Sequence, residues 1–356
     1  MSSFTFKHLS LYQTQICKGI AILFIVIHNL LAMLQNTLGH NEFDFDAQRI
    51  NDAMAIVSAD HLEFVRIFMT FLGHYGVQVF IFLSAYGLVR SIDTQPKMWV
   101  AFIFKRIRQL IIPMLLVMAF YLILNHYSDG IFSMRTGAHD YWDVVKRLLF
   151  ISNFYPDEIF LVIGPWWFLS LIMQFYFIFL PLRTMQVRWG NVSLLFISLL
   201  GILLTTQYAL TATVLGHLPE FALGMYVASL DKIKVPIWLI LLATMGLILG
   251  NMFYPFWFLA PVCAIIVIMF LCAIIFKYAR EDNRILFLLN YIGVLSLYIF
   301  LLNGIIREPF VILLLTTKDG PWIQLLFAVL VTLICIILAQ GFYILDSIIN
   351  AKYRKT

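Results

Sequence analysis

Charge is scarce in this 356-residue chain. Asp, Glu, Lys and Arg make up 12% of it, against 62% hydrophobic residues. Soluble domains carry about 25% charged and about 45–50% apolar residues. This shortage excludes a water-soluble globular fold and implies an integral membrane protein. Cysteine is scarce too. Cys17, Cys263, Cys272 and Cys335 lie in or beside apolar runs with no metal-ligand spacing. That argues against a disulfide framework or a cysteine-ligated zinc site, so no metal is expected and the four read as packing residues. No internal repeat or low-complexity tract is present, and no polar stretch is long enough for a second domain. Residues 1–356 are therefore read as one transmembrane domain. The first apolar run lacks a small-residue cleavage site and reads as a signal anchor.

What is present is apolar length. A membrane helix needs about 20 apolar residues. Ten such spans are expected, at 16–38, 68–89, 107–127, 164–182, 190–210, 213–230, 235–253, 256–277, 286–315 and 321–346. The fold class is thus an all-α bundle of about ten transmembrane helices. With the N-terminus in the cytoplasm, 17 of the 24 Lys and Arg fall on the cytoplasmic side, among them Arg90, Lys105, Arg108, Arg183, Lys232, Lys277 and Arg284. Fourteen of the 19 acidic residues, such as Glu42, Asp44, Asp52 and Glu63, fall outside. This asymmetry is the positive-inside pattern. It places both termini in the cytoplasm and accounts for the net charge of +5 without nucleic acid. Outer segments 39–67 and 128–163 are long, acidic and aromatic, suited to covering a polar substrate. Residues 144–151 fit a short interfacial helix.

Several polar residues interrupt the spans. His28 lies ten residues after Lys18, about 15 Å along a helix and about halfway across the hydrocarbon layer. An ionisable group there needs a cavity or a partner. Ten steps at about 100° leave Lys18 and His28 roughly 80° apart around the helix. Lys105, Arg106 and Arg108 open the third span. They either bind phosphates or anchor topology. His74 heads a helix with small residues at Ser84, Ala85 and Gly87; it either contacts substrate or packs at the interface. Trp166 and Trp167 open the fourth span as an aromatic belt or a sugar-stacking platform, with Gln174 deeper and in need of a partner. Glu220 enters the sixth span, where it pairs with a histidine, binds a hydroxyl or caps the helix. Asn303 faces inward, while Arg307 and Glu308 read as a neighbouring surface pair.

Taken in order, these blocks resemble the acyltransferase 3 family of bacterial integral-membrane acyltransferases. Lys18-Gly-Ile-Ala to His28 is similar to its R-x(10)-H opening, and Phe80 to Gly87 to its F-F-x-L-S-G helix. Lys105 and Arg108 fall on R-x-x-R. Trp167-Phe168-Leu169 falls on W-F-L, Glu220-Phe221 with Gly224 on E-F-x-x-G, and Gly293, Ser296 and Tyr298 on a late G-x-x-S block. The chain departs at Lys18, Lys105, Ala85 and Asn303, where the family has Arg, Arg, Gly and His, and in the Lys18–His28 spacing, which is ten residues where the family has eleven. The resemblance implies an O-acyltransferase in the bacterial cytoplasmic membrane. It would move an acyl group, acetyl in the commonest case, from cytoplasmic acyl-CoA to a hydroxyl of a surface polysaccharide or glycolipid. Acyl-CoA would be a co-substrate, with no permanently bound cofactor. Polysaccharide-synthesis machinery is the protein partner this implies. His28 would be the base, with Glu220 beside it in catalysis. Lys18, Lys105, Arg106 and Arg108 would hold the donor. His74, Trp167, Gln174 and Asn303 would meet the acceptor. The reading weighed against it is a transporter or flippase, which also needs polar groups at mid-membrane.

Overall fold

The computed structural model describes residues 3–6, 8–34, 39–92, 99–128, 141–160, 163–208, 210–279, 283–317 and 320–353. Lys7, Lys97, Arg280, Arg354 and Lys355, which carry part of the charge asymmetry, lie outside them. Fourteen helices are described: α1 (Leu11–Leu31), α2 (Gln48–Ala59), α3 (Phe64–Leu72), α4 (Tyr75–Ile92), α5 (Trp99–Tyr127), α6 (Tyr141–Leu148), α7 (Trp167–Trp189), α8 (Val192–Tyr208), α9 (Leu218–Ala228), α10 (Ile237–Met252), α11 (Tyr254–Trp257), α12 (Ala260–Tyr278), α13 (Arg284–Thr317) and α14 (Pro321–Tyr353). A helix satisfies its own backbone, which is why an apolar chain takes this form in lipid.

Each expected span corresponds to a helix, and length alone supports part of the count. Among the described residues six helices are long and apolar enough to cross a membrane, and a seventh crossing results if α3 and α4 are one bent span. Helices α8, α9 and α10 are shorter; the 11 residues of α9 rise only about 16 Å.

Helix α1 starts earlier than expected. Ser10 and Gln13 form a reciprocal capping box: the Gln13 amide donates to Ser10 Oγ (3.1 Å) and the Ser10 amide to Gln13 Oε1 (3.0 Å), so two backbone donors are satisfied at the start. The helix then ends at Leu31. His28 therefore sits in its last turn, not halfway along the span.

The expected second span is broken as well. Helices α3 and α4 meet at a 43° bend around Gly73 and His74. A Cβ on Gly73 would lie 2.7 Å from the His28 Cβ, so only glycine lets the break approach α1 this closely.

Two tight crossings build the centre. Helices α1 and α13 touch backbone to backbone at Gly19 and Gly293, where a Cβ on either would strike the carbonyl of Leu289 or Gln15. Helix α9 packs on α4 through Gly224, whose Cβ would meet the Phe82 carbonyl and the Ala85 side chain. Small residues here buy close approach. Around this centre, Leu195, Leu241, Leu271, Leu326 and Ile337 are exposed, as expected of a lipid-facing perimeter.

Contacts fall at two ends. At one, β1 (Ser3–Phe6) pairs antiparallel with β2 (Ile233–Pro236), the Leu9 amide donates to the Tyr86 hydroxyl, and Arg108 Nη2 donates to Asn350 Oδ1 at 3.3 Å. At the other, Trp257 Nε1 donates to the Asn41 carbonyl and Asn153 Nδ2 to the Ala212 carbonyl. The segment expected at 144–151 is helical as α6, but its Lys146 and Arg147 are buried. Lys146 pairs with Asp143 and Glu158, and Arg147 Nη2 donates to the Ile159 carbonyl at 2.6 Å. They fasten the loop leading to α7.

Candidate functional site

The break between α3 and α4 creates the site. The last carbonyls of a helix have no partner inside it. Thr70 lies in the last turn of α3, and its carbonyl faces His28 Nδ1 at 2.8 Å. A carbonyl only accepts, so Nδ1 carries the proton and the neutral ring leaves the Nε2 lone pair available. His28 is 3% exposed and His74 1%. His74, at the other side of the same break, brings its ring centroid 5.6 Å from that of His28.

A third imidazole completes the cluster. His40 lies edge-on to His28 with centroids 4.7 Å apart and stacks on His74 at 5.2 Å. Its carbonyl accepts from Arg49 Nη1 at 2.7 Å, which ties the segment after α1 to α2. Burial, and secondly the Arg49 guanidinium, push the His40 imidazole down to about 4. Burial pushes the Glu42 carboxyl up to about 8. Both groups are therefore neutral near pH 7.

The three histidines line a cavity of about 170 Å³ with Glu42, Asn29, Trp167, Phe300 and Arg307 among its walls. A second cavity of about 230 Å³ lies behind it, lined by Lys18, Phe80, Ser84, Gln109, Tyr176 and Ser296. Ile25, Val77 and Phe300 line both, so three apolar side chains partition them. Gln109 also lines a cleft of about 700 Å³ with Lys105, Arg108, Tyr343, Asp346 and Asn350. Three spaces thus form a series from the basic cleft to the histidines.

The expected site residues divide among these spaces. His28, His74 and Trp167 share the histidine cavity. The Trp167 ring also stacks on His217 at 5.9 Å and meets Phe43 edge-on at 4.9 Å. Lys18 lies in the second cavity, in keeping with the rotation that separates it from His28. Lys105 and Arg108 lie in the basic cleft, but Arg106 is turned away onto the rings of Tyr176 and Phe102 at 5.2 and 5.3 Å.

Three residues lie apart from the histidine cavity. Glu220 is buried and bonded to His217 Nδ1 at 3.1 Å; it lines a small adjoining cavity that also touches His74 and Glu42. Gln174 donates to Asn153 Oδ1 at 2.6 Å and accepts from the Val214 amide, so its partners are the segments leading into α7 and α9. Asn303 accepts from Asn29 Nδ2 at 3.1 Å, joining α13 to the end of α1.

Arg307 and Glu308 correct the expected surface pair. Both are buried; Arg307 Nη1 donates to the Asn29 carbonyl at 2.9 Å and its guanidinium lines the histidine cavity. Glutamate at the next position supplies the countercharge that makes burial of the guanidinium tolerable. Sequence reasoning missed His40, Glu42 and the carbonyl of Thr70. The only signal for the first two was a His-x-Glu pair in the acidic segment just after the first span.

No curated protein and no solved structure gave a match to the chain. A family model for an acyltransferase domain, that of the acyltransferase 3 family, matches residues 12–340. That match spans nearly the whole chain, and this multi-pass helical membrane protein belongs to that acyltransferase family.

Proposed function

We propose that the protein is an O-acyltransferase of the bacterial cytoplasmic membrane. It would transfer an acyl group, acetyl first among the candidates, from cytoplasmic acyl-CoA to a hydroxyl of a surface polysaccharide or glycolipid. One observation carries the reading. The Nε2 lone pair of His28 is left free in a buried polar cavity, at the inner end of which three apolar residues stand before a second cavity and a basic cleft.

On this reading Lys105 and Arg108 hold the donor's phosphates. The pantetheine arm runs past Gln109 through the second cavity, and its thioester reaches the partition at Ile25, Val77 and Phe300. The acceptor enters the histidine cavity beside Trp167. Its hydroxyl oxygen attacks the thioester carbonyl while His28 Nε2 takes the hydroxyl proton. The tetrahedral intermediate collapses, the carbon–sulfur bond breaks, and the imidazolium returns its proton to the leaving thiolate. Arg307 supplies positive charge near the developing oxyanion.

The route requires the basic cleft and the histidine cavity to open on opposite sides of the membrane. Pairing of β1 with β2, of Leu9 with Tyr86 and of Arg108 with Asn350 supports this, because each joins segments on the side that charge assigns to the cytoplasm. Both termini then lie inside, with α8, α9 and α10 completing ten crossings. Incubating purified protein with labelled acetyl-CoA and a candidate glycan tests the activity. Transfer that vanishes in His28→Ala supports the reading; equal transfer in folded His28→Ala refutes it.

A further inference from the structure

Three histidines meet here although transfer needs one base. One ring nitrogen from each of His28, His40 and His74 lies within 4.8 Å of the others. Among the described residues, neither nitrogen of buried His74 has a hydrogen-bond partner, and neither does Nδ1 of His40. Buried polar atoms left in this way are costly, and their presence calls for a ligand.

We propose that His28, His40 and His74 bind one divalent transition-metal ion, and that the bound ion silences the acyl transfer. The silencing rests on His28 being the base; the binding does not.

The donor set fits such an ion. Imidazole suits Zn²⁺, Cu²⁺ and Ni²⁺, and three histidines with an open fourth position form a known zinc arrangement. Metal-binding histidines hold their second nitrogen against a carbonyl or carboxylate, and His28 Nδ1 already lies 2.8 Å from the Thr70 carbonyl. Tetrahedral zinc at about 2.0–2.1 Å from each nitrogen spaces them roughly 3.3 Å apart. The nitrogens must therefore draw in from at most 4.8 Å. His40, between α1 and α2, and His74, in the turn between α3 and α4, supply that movement more readily than His28, which is held in α1. Glu42 Oε2 lies 3.8 Å from His40 Nδ1 but outside the three-histidine group, so the fourth position is left for water. Nearby positive charge is offset: Arg307 pairs with Glu308 and Arg49 with Asp44.

Coordination would form a bond from His28 Nε2 to the ion and displace a water molecule. The lone pair would then be unable to take the acceptor's proton, so metal and transfer would compete for one atom.

The test uses full-length protein purified in detergent and stripped with a chelator. Zn²⁺ alone is added, and retained metal is measured by mass spectrometry after gel filtration. Co²⁺ replaces it in a second arm, where visible absorption reports the coordination geometry. About one ion per chain is expected. His40→Ala and His74→Ala should each weaken binding by at least about 100-fold. Exposed His61→Ala should leave it intact. His40→Gln guards against misfolding of the alanine variants, since it keeps side-chain volume while removing the imidazole. Zinc should lower labelled acetyl transfer by more than about tenfold, with recovery on chelation. Folded wild-type protein that retains no metal while His28-dependent transfer persists overturns this inference alone. Binding unchanged in His40→Gln and in folded His74→Ala also overturns it. Metal retained with undiminished transfer overturns the silencing, and His28 as base with it.

Discussion

The division of the cationic cluster gives a prediction that separates donor binding from everything else. Sequence places Lys105, Arg106 and Arg108 together, but only Lys105 and Arg108 line the basic cleft. Arg106 lies over the Tyr176 and Phe102 rings, with Nη1 donating to Gln109 Oε1 at 3.0 Å. A hydrogen bond to a charged group contributes about 1.5–3 kcal/mol. Lys105 and Arg108 are exposed, and solvent screening reduces this to about 1–2 kcal/mol each. At 1.4 kcal/mol per factor of ten, Lys105→Gln and Arg108→Gln should each raise KM for acetyl-CoA by roughly 5–30-fold, with kcat little changed. Arg106→Gln loses stacking worth about 0.5–2 kcal/mol, which bears on folding and on the second cavity, so its KM should move by less than about threefold.

The assay is initial rates with acetyl-CoA beside acetyl-pantetheine, a thioester that carries no phosphate. The Lys105 and Arg108 variants should match the wild type on acetyl-pantetheine. Added salt should raise the wild-type KM for acetyl-CoA and affect the double variant much less, because screening acts on the charge they supply. Two results would refute the reasoning: equal effects from all three cations, or equal loss on the phosphate-free donor.

Three further outcomes follow. His28→Gln should lower kcat by about 10²–10⁴, the contribution of a positioned general base, while KM for acetyl-CoA holds; a thermal melt in detergent separates this from the cost of leaving the buried Thr70 carbonyl unpaired, about 1–3 kcal/mol. Phe300→Ala should open the partition between the two cavities, raising the rate with longer acyl-CoA donors relative to acetyl-CoA, at a stability cost of about 3–5 kcal/mol; an unchanged chain-length profile in a folded variant would exclude Phe300 as a partition. Gly293→Ala should depress the melting temperature sharply, because its Cβ would overlap the Gln15 carbonyl and backbone yields less readily than side chains; wild-type melting behaviour would contradict the close crossing of α1 and α13.

The sequence by itself determined the environment and most of the helices. A chain this poor in charge and rich in apolar runs has to satisfy its backbone internally, and helices do so segment by segment. The motifs also made His28, Trp167, Lys105 and Arg108 legible as candidates, because each breaks an apolar pattern at a recognisable spacing. Helix ends were harder to read. The Ser10–Gln13 box starts α1 upstream of its hydrophobic run, so His28 belongs to the last turn.

Tertiary structure alone decided what His28 faces. His40 follows it by twelve residues and His74 by forty-six, and no helical periodicity relates positions on three different elements. They meet because α3 breaks at Gly73, where the lack of a side chain admits the His28 Cβ. The same break leaves the Thr70 carbonyl to fix the imidazole. Arg307 and Glu308 look like surface charges in sequence because adjacent opposite charges usually are. The α1–α13 crossing buries them, since two glycines bring the backbones into contact and carry the guanidinium to the end of α1. Composition thus specified a membrane helix bundle, and close backbone approach made one of its histidines a candidate base.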